Sequence, residues 1–306
     1  MSLWFDHTYH TTECHPMADS TQPETDEGGT VHRAVSDDGT EIAGRVHGTG
    51  PPVVLVHGAM ADGEFIWESL VPHLADRFTC YAMSVRSRGL SEHSTDLSPE
   101  RRLEDVTAFV ESIGEPVGLL GWSQGGRLAL GAAAQTDAVS AVAAYEPAVF
   151  EVLEEDEYAR FVERIGRVSE LAAEDRPVDA ARTFLEWVAT EDELNDAQTA
   201  GIVENCAANV PVFLQEVQGL DDYDGPSPTG PSALAEIEAP VLLLHGSSSI
   251  PDPWFVDGVH HVAEHATDSR VREIEETGHF GPVHRSDAVA EELARFFAAT
   301  PDPLRS

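Results

Sequence analysis

Residues 116–135, PVGLLGWSQGGRLALGAAAQ, contain the turn on which the reading of this chain depends. Pro116 to Trp122 form a short apolar run without polar interruption, as expected of a strand buried on both faces. From Gln124 onward the composition changes to Leu, Ala and Arg, which favour a helix. Between the two, Gly121-Trp122-Ser123-Gln124-Gly125 matches G-x-S-x-G. A sharp strand-to-helix turn there would hold the Ser123 hydroxyl exposed on a strained backbone. Small residues at 121 and 125 let neighbouring backbone pass close to the turn. The N–H groups that open the helix point toward any negative charge developing at the serine.

Working outward, the same alternation recurs. PPVVLVHG, FTCYAMSV, VSAVAAYE, PVLLLHG and VREIEE are short apolar or β-branched runs. Helical patterns lie between them at 64–75, 98–113, 124–135, 254–265 and 283–299. Strands alternating with helices predict βαβ units and a mostly parallel sheet. TVHRAVSDDGTEIAGRVHG adds two strands joined by an Asp38-Gly39 turn, an antiparallel edge that brings the expected total to eight. The alternation breaks over 148–232, where acidic amphipathic helical patterns occur without a strand. This stretch is read as a helical cap inserted into an α/β core of 31–147 and 233–306, after a flexible acidic tail at 1–30.

Two further loops carry candidate chemistry. PPVVLV runs into His57-Gly58-Ala59-Met60-Ala61-Asp62-Gly63, where the Ala59 N–H is placed to pair with the Gln124 N–H as an oxyanion hole. His57 precedes this turn and reads as a structural histidine. Near the C-terminus, VREIEE leads into Thr277-Gly278-His279-Phe280-Gly281. A histidine on a Gly-flanked loop past a strand end can reach across the sheet and act as general base to Ser123. Met60, Trp122 and Phe280 suggest an apolar acyl site, with Phe184, Trp187, Val212, Phe213 and Leu214 of the cap as candidate walls.

The ordered set HGAMADG, GWSQGG and ETGHFGP resembles the α/β-hydrolase superfamily over 31–147 and 233–306. SVRSRGLSEHS is similar to that family's D-x-R-G-x-G-x-S loop, with Ser84 and Ser87 in place of the usual Asp and Gly. Many members place the triad's acid three residues after a Gly that follows PVLLLHG. That position here is Ser249. Two carboxylates compete for the role. Glu146 ends the AVAAYE strand, where some members, haloalkane dehalogenases among them, carry the acid. Asp252 lies three residues beyond Ser249. Glu146 is favoured because a strand end fixes position better than a Pro-flanked loop, and Asp252 stays the alternative.

Composition bounds the partners. The 306 residues carry 55 Asp and Glu against 18 basic residues, all arginine, for a formal charge of −37. Acidity spread over the whole length without lysine reads as a halophilic surface, with self-repulsion screened by salt. Such a surface disfavours nucleic acid and anionic membranes. No apolar run approaches the roughly 20 residues of a membrane span. Three cysteines without a close pair argue for free thiols, and with no visible signal peptide the expected location is cytoplasmic. Met17 is a second candidate start. His7, His10, Cys14 and His15 fit no standard metal-ligand spacing, and neither metal nor organic cofactor is expected.

The resemblance implies a serine hydrolase that cleaves a small-molecule ester through an acyl-enzyme on Ser123. A serine at this position argues against dehalogenase and epoxide hydrolase chemistry, which in similar proteins uses Asp. Thioesterase, lactonase, C–C hydrolase and haloperoxidase-like activities run on the same frame. A non-catalytic ligand-binding protein is the alternative from another class.

Overall fold

The computed structural model describes residues 24–26, 29–221, 223–250 and 254–299. Its strands are β1 (Glu24–Asp26), β2 (Gly29–Val35), β3 (Glu41–Gly48), β4 (Pro52–Val56), β5 (Thr79–Met83), β6 (Val117–Trp122), β7 (Val139–Tyr145), β8 (Val241–Gly246) and β9 (Ser269–Ile274). The helices are α1 (Val71–Leu74), α2 (Pro99–Ser112), α3 (Gln124–Ala133), α4 (Glu155–Ala173), α5 (Pro177–Val188), α6 (Glu191–Asn195), α7 (Ala197–Asp221), α8 (Pro231–Ala235), α9 (Trp254–His265), α10 (Gly281–His284) and α11 (Ser286–Ala299).

The strands form one sheet in the order β1-β2-β3-β5-β4-β6-β7-β8-β9. Pairing is antiparallel from β1 to β5 and parallel from β5 through β4 to β9. The mostly parallel eight-stranded sheet expected from the sequence is present, and a ninth strand, β1, extends its antiparallel edge. β1 falls inside the stretch read as a tail. Its residues join by main-chain pairing of Glu24 with Val31 and Asp26 with Gly29, which no apolar pattern announces.

Central strands are continuously apolar because they feed two cores at once. Along β4, Val53 and Leu55 point into one apolar cluster, Val54 and Val56 into the other. That alternation is the period of two of an extended chain. The first cluster also contains Val168, Leu171, Phe184, Leu185, Val203 and Phe213, so α4, α5 and α7 pack over the same layer as one sheet face. These helices lie between β7 and β8 in the chain.

Two helical expectations change. Over 64–75 only α1 is helical. Asp62 Oδ1 instead accepts the Glu64 and Phe65 N–H groups at 3.0 and 2.9 Å, and tight turns carry the chain to Trp67. The segment 283–299 is two helices, broken at Arg285, whose backbone (φ −125°, ψ 39°) leaves the helical region.

β4 is the point where the strand order reverses, with parallel β5 on one side and β6 on the other. In open α/β sheets ligands sit beyond the carboxyl ends of strands at such a point. Ala59, Ser123, Glu146 and His279 all follow the carboxyl ends of strands.

Candidate active site

Ser123 closes β6 and opens α3. Its backbone is left-handed and strained, with φ 57° and ψ −120°. The bend is held by the Ser123 N–H donating to Tyr145 O at 2.9 Å, and by Ser123 O accepting from Ala148 and Arg127 N–H at 3.1 and 3.2 Å. Glycine is required on both sides. A Cβ at 121 would overlap the Gly125 carbonyl, and one at 125 would overlap the Val56 carbonyl. The G-x-S-x-G spacing therefore serves the crossing of β4, β6 and α3, and it turns the serine outward.

His279 follows β9 and Glu146 follows β7. The His279 Nδ1–H donates to Glu146 Oε2 at 2.7 Å, leaving Nε2 as the acceptor nitrogen. Glu146 is fully buried and adopts φ 42°. Its other oxygen, Oε1, accepts the Gly246 N–H at 2.8 Å and the Ser249 hydroxyl. Ser249, at the position where the resembled pattern expects an acid, thus supports the Glu146 carboxylate. Asp252 lies outside the described residues.

The imidazole is fixed by more than one bond. Phe255 stacks on it at 4.1 Å between ring centroids and 13° between planes. The stack continues through Trp254 to Trp187 of α5. Behind the loop, Tyr145 donates to Gly278 O at 2.7 Å. Glu193 of α6 accepts the N–H groups of Gly278 and Phe280, the residues on either side of His279, at 2.9 and 3.0 Å. Glu193 is held in turn by Thr190 through a capping box. A helix outside the sheet thus grips the His279 loop. Thr190-x-x-Glu193 is visible in the sequence as a capping box, but its second task is not.

Ser123 and His279 face the same pocket, without a direct hydrogen bond between them in this conformation. Gly58, Ala59, Trp122, Phe184, Ile202, Cys206 and Phe280 complete much of its wall. A second cavity meets it at Ala59, Ser123, Phe184 and Val188. Trp187, Phe213, Phe150, Phe161 and Phe255 make this second space aromatic. Trp122 and Phe280 line the cavity as the sequence suggests. Met60 does not: its side chain is fully buried in the core with φ 60°, because the turn that exposes Ala59 rotates the next residue inward. Of the cap candidates, Phe184, Trp187 and Phe213 reach the cavities, while Leu214 packs against the core and Val212 lines neither cavity.

Among the described residues, neither the Ala59 nor the Gln124 N–H meets a hydrogen-bond acceptor. Both therefore stand available beside Ser123. His57 is committed elsewhere. Its Nε2 accepts the Val85 N–H at 3.1 Å, so Nδ1 carries the proton and donates to Gly58 O at 2.9 Å. Burial, with the nearby Arg88 cation, lowers its pKa to about 4. The ring is a neutral brace between two loops. Next to it, Ser87 has φ 65°, the left-handed backbone that explains a glycine at this position in the resembled loop.

No described helix is long and apolar enough to cross a membrane. Among the described residues no group of three or more His, Cys, Asp or Glu side chains could hold a metal ion. The His7, His10, Cys14 and His15 group lies outside them.

A model of the alpha/beta hydrolase family matches residues 53–292. The pimeloyl-[acyl-carrier protein] methyl ester esterase of Stenotrophomonas maltophilia is 35% identical over 122 residues, 35% of this chain and 46% of that protein. A 2-hydroxy-6-oxo-6-(2'-aminophenyl)hexa-2,4-dienoic acid hydrolase of Metapseudomonas resinovorans is 30% identical over 113 residues, 35% of this chain and 39% of that one. The chain thus spans less than half the length of these curated relatives. Among solved structures, an α/β hydrolase of Sphaerobacter thermophilus is similar with a TM-score of 0.66 and 28% identity, covering 87% of this chain and 100% of that one. An esterase of Rhodococcus aligns with a TM-score of 0.71 at 23% identity, over 89% and 99% of the two chains, a likeness of fold. With the family model covering residues 53–292, this chain belongs to the alpha/beta hydrolase family.

Proposed function

We propose that this chain is a serine carboxylesterase acting through an acyl-enzyme on Ser123. The observation that carries the reading is the Glu146–His279 pair at 2.7 Å, facing the cavity into which the strained Ser123 turn opens. His279 Nε2 takes the hydroxyl proton as Ser123 Oγ attacks the substrate carbonyl. The carbonyl oxygen gains the negative charge, and the Ala59 and Gln124 N–H groups receive it. Two such preorganised donors lower the barrier by roughly 3 kcal/mol or more. His279 then returns the proton to the leaving alcohol, and water repeats the sequence on the acyl-enzyme. Glu146 keeps the imidazole in the tautomer with Nε2 free and stabilises the imidazolium.

Segment 148–232 acts as the cap that closes both cavities over Ser123. The esterase named among the relatives supports ester cleavage. The hydrolase of a hydroxy-oxo-dienoic acid named beside it makes C–C cleavage the second reading. The test is hydrolysis of p-nitrophenyl acetate and butyrate by wild type, Ser123→Ala and Glu146→Gln in molar KCl. Turnover that disappears with Ser123→Ala supports the reading. Turnover that persists there removes it.

A further inference from the structure

The second cavity is aromatic along its walls but not at one side, where Arg102 of α2 and Arg127 of α3 join its lining. Both are nearly buried, at 3% and 8% exposure. Arginines so enclosed ordinarily sit in ion pairs. Arg127 does not. Its Nη2 donates to Ser227 Oγ at 3.0 Å, and its guanidinium lies over the Phe150 ring at 5.6 Å. Among the described residues no carboxylate lies within ion-pair distance of it, and its Nε is buried without an acceptor. Burial lowers its pKa to about 10, against the opposing field of Glu151.

Arg102 is little better served. Its Nη1 lies 3.7 Å from Glu216 Oε2, and its Nε is also without an acceptor. That same Glu216 oxygen is already taken by Arg88 at 2.5 Å. The cavity is therefore lined by two guanidinium groups and one carboxylate, and the carboxylate is engaged by a third arginine outside the lining. Glu216 Oε1 has no donor, so the set is incomplete on both sides. A buried donor left without an acceptor is costly, and more so when charged. Arg127 thus borders the cavity as a cation with no carboxylate partner among the described residues, a setting that favours an anion beside it.

We propose that Arg102 and Arg127 form a carboxylate-binding subsite, and that the substrate is an ester whose acyl chain ends in a carboxylate. The subsite rests on the serine esterase reading and names its substrate class. Reach fits the assignment. Arg127 lies four residues beyond Ser123 along α3, about 6 Å along the axis, and its side chain extends the distance. A linear chain of moderate length spans from an acyl group on Ser123 to the guanidinium, crossing the aromatic stretch between. The planar guanidinium fork matches a carboxylate in geometry as well as charge. The protein's outer surface repels such an anion, but surface charges are screened by salt and buried ones much less.

The test compares two esters of equal chain length, the mono-p-nitrophenyl ester of adipic acid and p-nitrophenyl hexanoate. Wild type is expected to favour the adipate monoester in kcat/KM by about tenfold or more, roughly the worth of one charge-assisted pair. The ratio should fall toward one in Arg127→Gln and stay partly restored in Arg127→Lys. Titration of the folded Ser123→Ala protein with free adipate, followed by calorimetry, reads the subsite without turnover. Binding there that is lost on adding Arg127→Gln supports it. Hexanoate hydrolysed as fast as the adipate monoester, with no adipate binding, overturns the subsite and leaves the esterase standing. Neither ester hydrolysed, with adipate still bound, overturns the esterase reading and leaves the subsite.

Discussion

Ser249 donates its hydroxyl to Glu146, and Glu146 holds His279 at 2.7 Å. Ser249, at the position where the resembled pattern places the acid, bonds a carboxylate one strand away, which we propose as the acid. The two positions are neighbours: Glu146 follows β7, Ser249 follows β8, and the two strands are paired. Glu146→Gln keeps the shape but donates an N–H or weakens the acceptor toward His279, disfavouring the working tautomer. kcat should fall by roughly 10³- to 10⁴-fold. Ser249→Ala removes only a supporting bond, and kcat should fall by about tenfold or less. Steady-state rates on p-nitrophenyl butyrate check both, and equal losses in the two variants would contradict the division of roles.

Glu193 is expected to act on His279 from a distance, as a positioning residue. Glu193→Ala leaves the Gly278 and Phe280 N–H groups without their acceptor. Stability should fall by about 2–4 kcal/mol, and kcat should fall more than KM rises. Glu193→Gln retains a carbonyl oxygen and should recover most of kcat. If Gln fails to rescue while both variants stay folded by circular dichroism, the grip on the loop is not what Glu193 provides.

His57 predicts a pH dependence of stability. Its folded pKa is about 4, against an ordinary 6.5. Between those values the unfolded chain binds the extra proton and the folded chain does not, so stability falls as pH falls. The contribution is complete above pH 6.5 and is reduced by about 3 kcal/mol at pH 4. Urea unfolding of wild type and His57→Gln across this window isolates it from the carboxylates. The stability difference between the two proteins should shrink toward acid, and a constant difference would contradict the assignment.

Salt should stabilise the fold. The formal charge is −37. Arginine pairs such as Arg160–Asp156 and Arg295–Glu291 engage only a few of the carboxylates, and exposed pairs of this kind contribute about 0–1 kcal/mol each. Screening of the remaining repulsion should raise the thermal midpoint steadily from dilute to molar KCl. Equal midpoints at the two extremes would remove the halophilic reading of the composition.

The sheet was legible because buried parallel strands leave a signature in sequence: β4 and β6 are apolar throughout, β7 but for Ser140 and β8 but for His245. That Ser123 and His279 sit on turns past strand ends was legible because glycines flank both, and the structure brings the two to one pocket. β1 was not, since its strand rests on main-chain bonds that any residue can make. Met60 misled because a side chain's direction on a tight turn depends on φ, which composition does not show. Glu193, Arg102 and Arg127 were missed for a different reason. Each sits in an ordinary helical pattern, and its meaning comes from an element distant in sequence: the His279 loop for Glu193, the cap for the two arginines.

The central claim is that Ser123 is a nucleophile activated by His279. Reaction with a fluorophosphonate, followed by peptide mass spectrometry, tests it most directly. One label per chain on the peptide containing Ser123, absent in Ser123→Ala and slowed by orders of magnitude in His279→Ala, is the predicted result. A folded wild-type protein that takes no label, or takes it at another serine, would contradict it.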